Sequence, residues 1–295
     1  MGRIRPTPHS LLPTPKLMNR LYAYLYDDFL SDAVFQKPLA NLETRTSILG
    51  IQGRTSRLAI FRSARELVAQ LVHDGAQTIV VVGNDRTLQK VMWFLPDLPI
   101  IIGYIPVAEP CSIARILGIP MGDAACDVLS ARRVETLDIG KIADRYFLTE
   151  AVIRDTTASV HVGNAFRVRS ASAGTITLRN LSMTDSDDVI QRAKDGWLDL
   201  TIDPVVSPER TGWRAFSKGP VRTEQVTHLL LSHGRIESEE PVDVLVDGHQ
   251  LNGFGFSVGI LPGKLRMITG RNKRLEGVSG ALPNRTRFDM LTPAQ

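Results

Sequence analysis

Between Thr78 and Arg86 the chain reads Thr-Ile-Val-Val-Val-Gly-Asn-Asp-Arg, an unbroken β-branched apolar run that gives way to a glycine-led polar loop and then to a helical pattern from Thr87. A run without polar alternation suits a strand buried on both faces, the state of a central strand in a parallel sheet. A tight turn and a helix after such a strand present unpaired backbone N–H groups and a positive dipole end to an anion, so the segment has the layout of a phosphate cradle. A chain built around it needs helices on the faces of its sheet.

The neighbouring segments alternate accordingly. Residues 21–26 read as a strand, 34–49 as a helix and 57–60 as a short strand. Ser63 and Glu66 then have capping-box spacing, Ala64, Leu67, Val68, Leu71 and Val72 form one apolar stripe, and Gly75 is the stop. With the strand reaching Ile105, residues 21–130 read as a three-layer α/β domain around a mostly parallel sheet. Residues 131–270 differ, with short alternating runs such as Phe166-Arg167-Val168-Arg169 and Thr175-Ile176-Thr177-Leu178 between turn residues, and a helical pattern only over 187–193. Antiparallel, sandwich-like β structure is expected there. Residues 1–20 form a basic, proline-containing tail and 271–295 a second tail, able to return to the first domain.

At 295 residues with 43% hydrophobic content, two domains are the natural expectation. No apolar run is long enough to span a bilayer, and the amino-terminal residues, with Arg3, Arg5 and several prolines, lack the apolar core of a signal peptide. A cytoplasmic protein is expected. Cys111 and Cys126 make neither a disulfide framework nor a zinc site and read as reduced structural thiols. The formal charge of +4 gathers in the tails, which suits solvated termini or contact with an anionic surface. His161, His228 and His233 show no ligand spacing, and Trp197 and Trp213 read as core anchors.

The loop Gly83-Asn84-Asp85-Arg86-Thr87 resembles the Gly-Gly-Asp-Gly-Thr nucleotide loop of the diacylglycerol kinase and sphingosine kinase family, with Asn84 and Arg86 at two glycine positions. Further phrases follow in the family's order: Ile100 to Pro106 before the second loop, Ile113-Ala114-Arg115 for Phe-Ala-Arg, Asp195-Gly196-Trp197-Leu198-Asp199-Leu200 for Asp-Gly-x-Leu-Asp-Val, Asp247-Gly248-His249 for Asp-Gly-Glu, and Leu261-Pro262-Gly263-Lys264-Leu265-Arg266 for Leu-Pro-Gly-x-Leu-Arg. The chain is thus identified as a divergent member with degraded glycine-rich motifs.

The resemblance implies an N-terminal α/β domain of NAD kinase and diacylglycerol kinase type followed by a β-sandwich-like domain. It implies ATP- and Mg2+-dependent phosphoryl transfer to a diacylglycerol-like lipid hydroxyl, with Gly83, Asn84, Asp85, Arg86 and Thr87 on the nucleotide phosphates and Asp247 as general base or metal contact. A lipid substrate implies peripheral contact with the inner membrane face, and no nucleic-acid role. No residue is assigned as a metal ligand: Asp27 and Asp28 suit helix capping or a turn better. Asp85 is open to an N-cap role as much as a nucleotide role, and Asp247-Gly248 to a plain hairpin turn.

The departures set a second reading beside the first. Arg86 replaces a glycine that would be strained if its φ were positive. Ala108-Glu109-Pro110-Cys111-Ser112 stands where the family has a second glycine-rich loop, with a negative charge and a proline that removes a donor. A catalytically inactive pseudokinase, serving as a ligand-binding or regulatory module, fits these changes. An NAD kinase-type phosphotransferase is a third reading.

Overall fold

A computed structural model describes residues 22–58, 63–163, 166–169, 173–181, 193–204 and 226–270. Both tails, Trp213 and nearly all of the 187–193 segment lie outside them. The chain runs β1 (Tyr22–Tyr26), α1 (Gln36–Ile48), β2 (Arg54–Arg57), α2 (Ala64–His73), β3 (Thr78–Gly83), α3 (Asp85–Met92), β4 (Ile101–Pro106), α4 (Ser112–Ile116) and α5 (Ala125–Ala131). Strands alone follow: β5 (Val134–Ile142), β6 (Arg145–Phe147), β7 (Glu150–Thr156), β8 (Ser159–Val162), β9 (Phe166–Arg169), β10 (Gly174–Arg179), β11 (Leu198–Pro204), β12 (Thr227–Leu231), β13 (His233–Val246) and β14 (His249–Ile268).

The α/β part is a parallel sheet in the order β4-β3-β1-β2. All six residues of β3 and of β4 are buried, as an uninterrupted apolar run requires of central strands. Burying each Val or Ile there contributes roughly 1.5–3 kcal/mol. The β-rich part is antiparallel in the order β12-β11-β10-β7-β13-β14, and β14 continues past β5 to a parallel contact with β4 at Met267 and Ile102. The two parts therefore share one sheet. They have separate hydrophobic cores, one on Leu25, Val80, Leu88 and Tyr104, the other on Phe147, Val160, Leu200 and Ile236.

Three sequence expectations shift. The second strand is Arg54–Arg57, meeting the expected 57–60 at Arg57, with Ala59 and Ile60 outside the described residues; its earlier start was not expected because it is an edge strand of largely exposed polar residues (Arg-Thr-Ser-Arg) that no hydrophobic pattern marks. Trp197 is no core anchor: it is 40% exposed, on a turn held from below by the Asp138 carboxylate through the Gly196 amide at 2.8 Å. The helix expected over 34–49 begins as a 3-10 turn (Ala33–Phe35) and is α-helical from Gln36. Both cysteines are free and buried, and His228 and His233 are exposed on strands.

Ser63 caps α2, its hydroxyl accepting from the Glu66 amide at 3.4 Å, and Gly75 takes φ +100° beyond the helix end. Ser63→Ala is expected to cost 0.5–1 kcal/mol, about what a long cap bond contributes. A urea midpoint lowered at unchanged slope would show it.

Candidate functional site

The loop after β3 closes on itself. Asn84 is the N-cap of α3: its Oδ1 accepts from the Thr87 amide at 3.1 Å, and Thr87 Oγ1 accepts from the Asn84 amide at 3.1 Å, a reciprocal capping box. Gly83 is required by proximity, since a Cβ there would overlap the Thr87 side chain. Asp85 is therefore the first helical residue and not the cap. Its amide donates to Pro110 O at 2.8 Å, and Asn84 Nδ2 donates to Glu109 O at 3.2 Å. Both bonds tie the loop to the Glu109-Pro110-Cys111 segment. Arg86 sits exposed in helical conformation, so the strain that a positive φ would impose does not arise.

The side chains continue the pattern. The buried Asp85 carboxylate accepts from the Ile113 amide at 3.0 Å and from Tyr104 Oη at 3.1 Å, which fixes α4 against β4. Burial raises its pKa, and these donors oppose the rise. Glu109 turns back to accept from the Cys111 thiol at 3.0 Å and from the Cys111 amide at 2.9 Å, and the thiol first and then the amide hold its pKa low. Thr87 Oγ1 donates to Asp27 Oδ2 at 2.6 Å, and Lys90 Nζ reaches the same oxygen at 3.1 Å. Asp27 Oδ1 caps the 3-10 turn after β1 by accepting from the Asp28 amide at 2.8 Å. Among the described residues, Arg86 alone of the loop amides from Asn84 to Thr87 has no protein acceptor.

Asp247 lies some 160 residues along the chain. With φ of +44° it forms, with Gly248 at +83°, the two-residue turn between β13 and β14, the left-handed pair that a tight hairpin demands. Its carboxylate points inward and accepts from the amides of Leu148 (2.6 Å), Thr149 (3.1 Å) and Glu150 (3.0 Å), and from Thr149 Oγ1. Burial pushes its pKa up and these four donors pull against it. The group pins the β6–β7 turn to the hairpin.

Around this turn the two parts of the chain meet. Gln89 Nε2 donates to Thr149 Oγ1 at 3.4 Å. Trp93 lies beneath the Arg145 guanidinium, 4.7 Å from its ring centroid, and within 6.0 Å of Arg65. Tyr146 Oη donates to Asp97 at 2.6 Å, and that bond holds its pKa up at about 12. His249, where the family motif has glutamate, is half-buried. Its pKa is lowered by burial and then by the positive charge of Arg145, against a smaller upward pull from Asp247, with Lys90 adding the least. The five loop residues thus lie around the start of α3, and Asp247 with His249 at a hairpin turn that the same helix reaches through Gln89 and Thr149.

Reading the sequence alone misses Lys90, Arg145, Thr149 and Asp138; Asp27, read there as a cap, does cap the turn after β1, and what the sequence does not show is its bond to Thr87. Asp138 accepts from Gly196 and Gly263, both at 2.8 Å, and so ties together the Asp195–Leu200 and Leu261–Arg266 phrases. Lys90 had a signal, since it lies one helical turn after Thr87 on the same face. Arg145 and Thr149 had none.

No family model matches the chain. Over 83 residues it is 32% identical to the diacylglycerol kinase of Mycobacterium tuberculosis, equally in strains CDC 1551 / Oshkosh and ATCC 25618 / H37Rv; the match covers 28% of this chain and 27% of each relative. It thus spans about a quarter of these relatives' length. Among solved structures, a diacylglycerol kinase from Bacillus anthracis str. Sterne superposes with a TM-score of 0.67 at 18% identity, covering 85% of this chain and 97% of the other. Two more structures of that kind from the same organism give 0.66 and 0.65, each at 16% identity and the same coverage. In fold, with its α/β part followed by a β-rich part, and in sequence over about a quarter of its length, the chain is similar to the diacylglycerol kinases.

Proposed function

We propose that the chain is a diacylglycerol kinase-like protein whose cleft binds a ligand without phosphorylating it, a pseudokinase module of the lipid-kinase type. One observation carries the reading: the groups that ought to hold ATP and Mg2+ already serve the fold. The Asn84 side chain sits over the helix N-terminus where an anion would be cradled, and the amides of Asn84, Asp85 and Thr87 have protein acceptors. The carboxylates of Asp27, Asp85 and Asp247 likewise accept from protein donors. A phosphate entering here would have to displace several of these bonds, each worth about 1.5–3 kcal/mol where a charge is involved. The residues do not fit the nucleotide in the way the family resemblance implies.

The position of His249 favours a second reading, an active lipid kinase. Burial and the Arg145 charge lower its pKa, which favours the neutral imidazole; it is half-buried and two residues from Asp247, and a neutral imidazole can take a proton from an acceptor hydroxyl.

Transfer of labelled phosphate from ATP to a mixed lipid extract decides between them, with thermal stability followed in parallel. The expected result is no label in the organic phase and no stabilisation by ATP and magnesium. A ligand at a hundred times its Kd would add about 2.7 kcal/mol. Asn84→Gly with Arg86→Gly is expected to restore a nucleotide-dependent shift by opening the loop, at a cap cost of a few tenths of a kcal/mol. Label transferred by the wild type and lost about a hundredfold or more in His249→Gln would sink the pseudokinase reading and establish the second.

A further inference from the structure

One face of the β-rich sheet carries its cations on neighbouring strands. The register sets Arg167 of β9, His161 of β8, Arg235 of β13 and Ser257 of β14 in one row, with Arg169, Ser159, Glu237 and Gly255 in the next. On the other side of the first row, His233 of β13, Gly259 of β14 and Lys141 of β5 make a third. Residues paired directly across antiparallel strands put their side chains on the same face. The opposite face is core, where Val160, Ile236, Phe256 and Val258 are buried. On this one Arg167, Arg169, His233, Arg235 and Ser257 are exposed.

Arg167, Arg169, Arg235 and Lys141 thus lie across five adjacent strands, about 19 Å at the usual strand spacing. Against these four cations the three rows hold one carboxylate, that of Glu237, which pairs with Arg235 at 3.0 Å and His161 at 3.2 Å and is still 45% exposed. Past Glu237 the pairing with β14 lapses until Val242, so Glu239 and Glu240 fall beyond the rows. Along the middle of the face β14 contributes only Gly255, Ser257 and Gly259, and no bulky side chain covers the cations beside it.

The character of the face selects among anionic partners. Single-stranded nucleic acid is held by aromatic side chains on which bases stack, and protein interfaces centre on apolar or aromatic anchors. Among the described residues the three rows expose neither, and Tyr146, paired with Lys141, is buried beneath the ammonium group, 5.4 Å from its ring centroid. Duplex DNA is read by an element that enters a groove, and this face is the open side of a sheet. An extended array of long cationic side chains without an anchor matches a surface of many anionic headgroups. We propose that the β9–β8–β13–β14–β5 face docks the protein on an anionic phospholipid bilayer. None of its residues belongs to the loop after β3 or to the Asp247 turn, so the inference goes beyond the pseudokinase reading and does not depend on it.

The test is sedimentation of the full chain with phosphatidylcholine vesicles, either pure or containing about a third phosphatidylglycerol, which makes the surface anionic. Saturable capture by the anionic vesicles alone is expected, abolished by about 0.5 M NaCl, which screens exposed charges. Replacing Arg167, Arg169 and Arg235 together by Gln is expected to weaken capture about a hundredfold, at about fivefold per cation. Taking the same charge from the carboxy-terminal tail, with Arg271→Gln, Lys273→Gln and Arg274→Gln, is expected to weaken it less than fivefold. Glu237→Gln removes the carboxylate of the rows and is expected to tighten capture about fivefold, a gain that misfolding does not produce. Should the triple sheet variant lose its urea transition, Arg167→Gln alone, at an exposed position of β9, carries the same test at about fivefold. Absence of capture by anionic vesicles, a folded sheet variant that binds like the wild type, loss of capture in the tail variant instead, or duplex DNA bound as tightly as the vesicles each overturns the proposal. Transfer of phosphate from ATP, whether present or absent, leaves these measurements unchanged.

Discussion

Asp247→Ala is expected to lose about 3–5 kcal/mol of stability, a large fraction of the 5–15 kcal/mol that holds a typical domain together. The substitution removes the acceptor of three backbone amides, those of Leu148, Thr149 and Glu150, and the partner of Thr149 Oγ1. Leu148 is buried, so its amide would lose both the carboxylate and water, at a cost of about 1–3 kcal/mol. Thr149 and Glu150 are partly exposed and recover some hydration. Alanine also does less well than aspartate at φ +44°. Asp247→Asn should fall between, because one side-chain oxygen still accepts while the amide nitrogen faces donors. Urea unfolding of the three proteins is the measurement. Stability within about 1 kcal/mol of the wild type would show that the turn does not depend on this carboxylate. It also bears on function: lost activity in an Asp247 variant is evidence for a catalytic role only after such a measurement.

Thr87→Val is the second large effect, expected at about 2–4 kcal/mol. Valine keeps the shape of a fully buried side chain and removes only the hydroxyl. That hydroxyl donates to a buried carboxylate and accepts from the Asn84 amide. Losing the first bond costs about 1.5–3 kcal/mol because the acceptor is charged, and losing half of the capping box adds about 1. Lys90 still pairs with Asp27, which limits the damage. Chemical denaturation tests the magnitude, and protease sensitivity at the β3–α3 loop tests the place. A variant as stable as the wild type would mean that the Asp27–Thr87 bond does not form in solution.

Both predictions concern groups whose chemical type the sequence displays but whose partners it does not. Asp247-Gly248 is legible as a hairpin pair, and so it folds. The hydrogen bonds that occupy the carboxylate come from a segment about a hundred residues earlier. Asp85 is similar: a polar residue at the start of a helix reads equally as a cap or a ligand, and the choice was made by Asn84, which capped first, and by the Ile113 amide, which arrived with α4. The start of β2 at Arg54 was missed for a different reason. An edge strand has one neighbour and an exposed face, so its sequence need not be hydrophobic.

What the sequence determined by itself was local or periodic. The buried strand at 78–83, the Ser63-capped helix, the alternating strand at 166–169 and the glycine-aspartate turn follow from side-chain volume, period and φ preference, which act within a few residues. The order of short motifs along the chain likewise pointed to the kinase-like fold that the superposed structures share. Only the tertiary structure decided whether those motifs are free to act. Hydrogen-bond valence is exhausted by partners brought from distant elements, as the amides of Leu148, Thr149 and Glu150 occupy the Asp247 carboxylate. A carboxylate or an amide can serve a ligand only when the fold has left it unspent, and that is a property of three-dimensional packing.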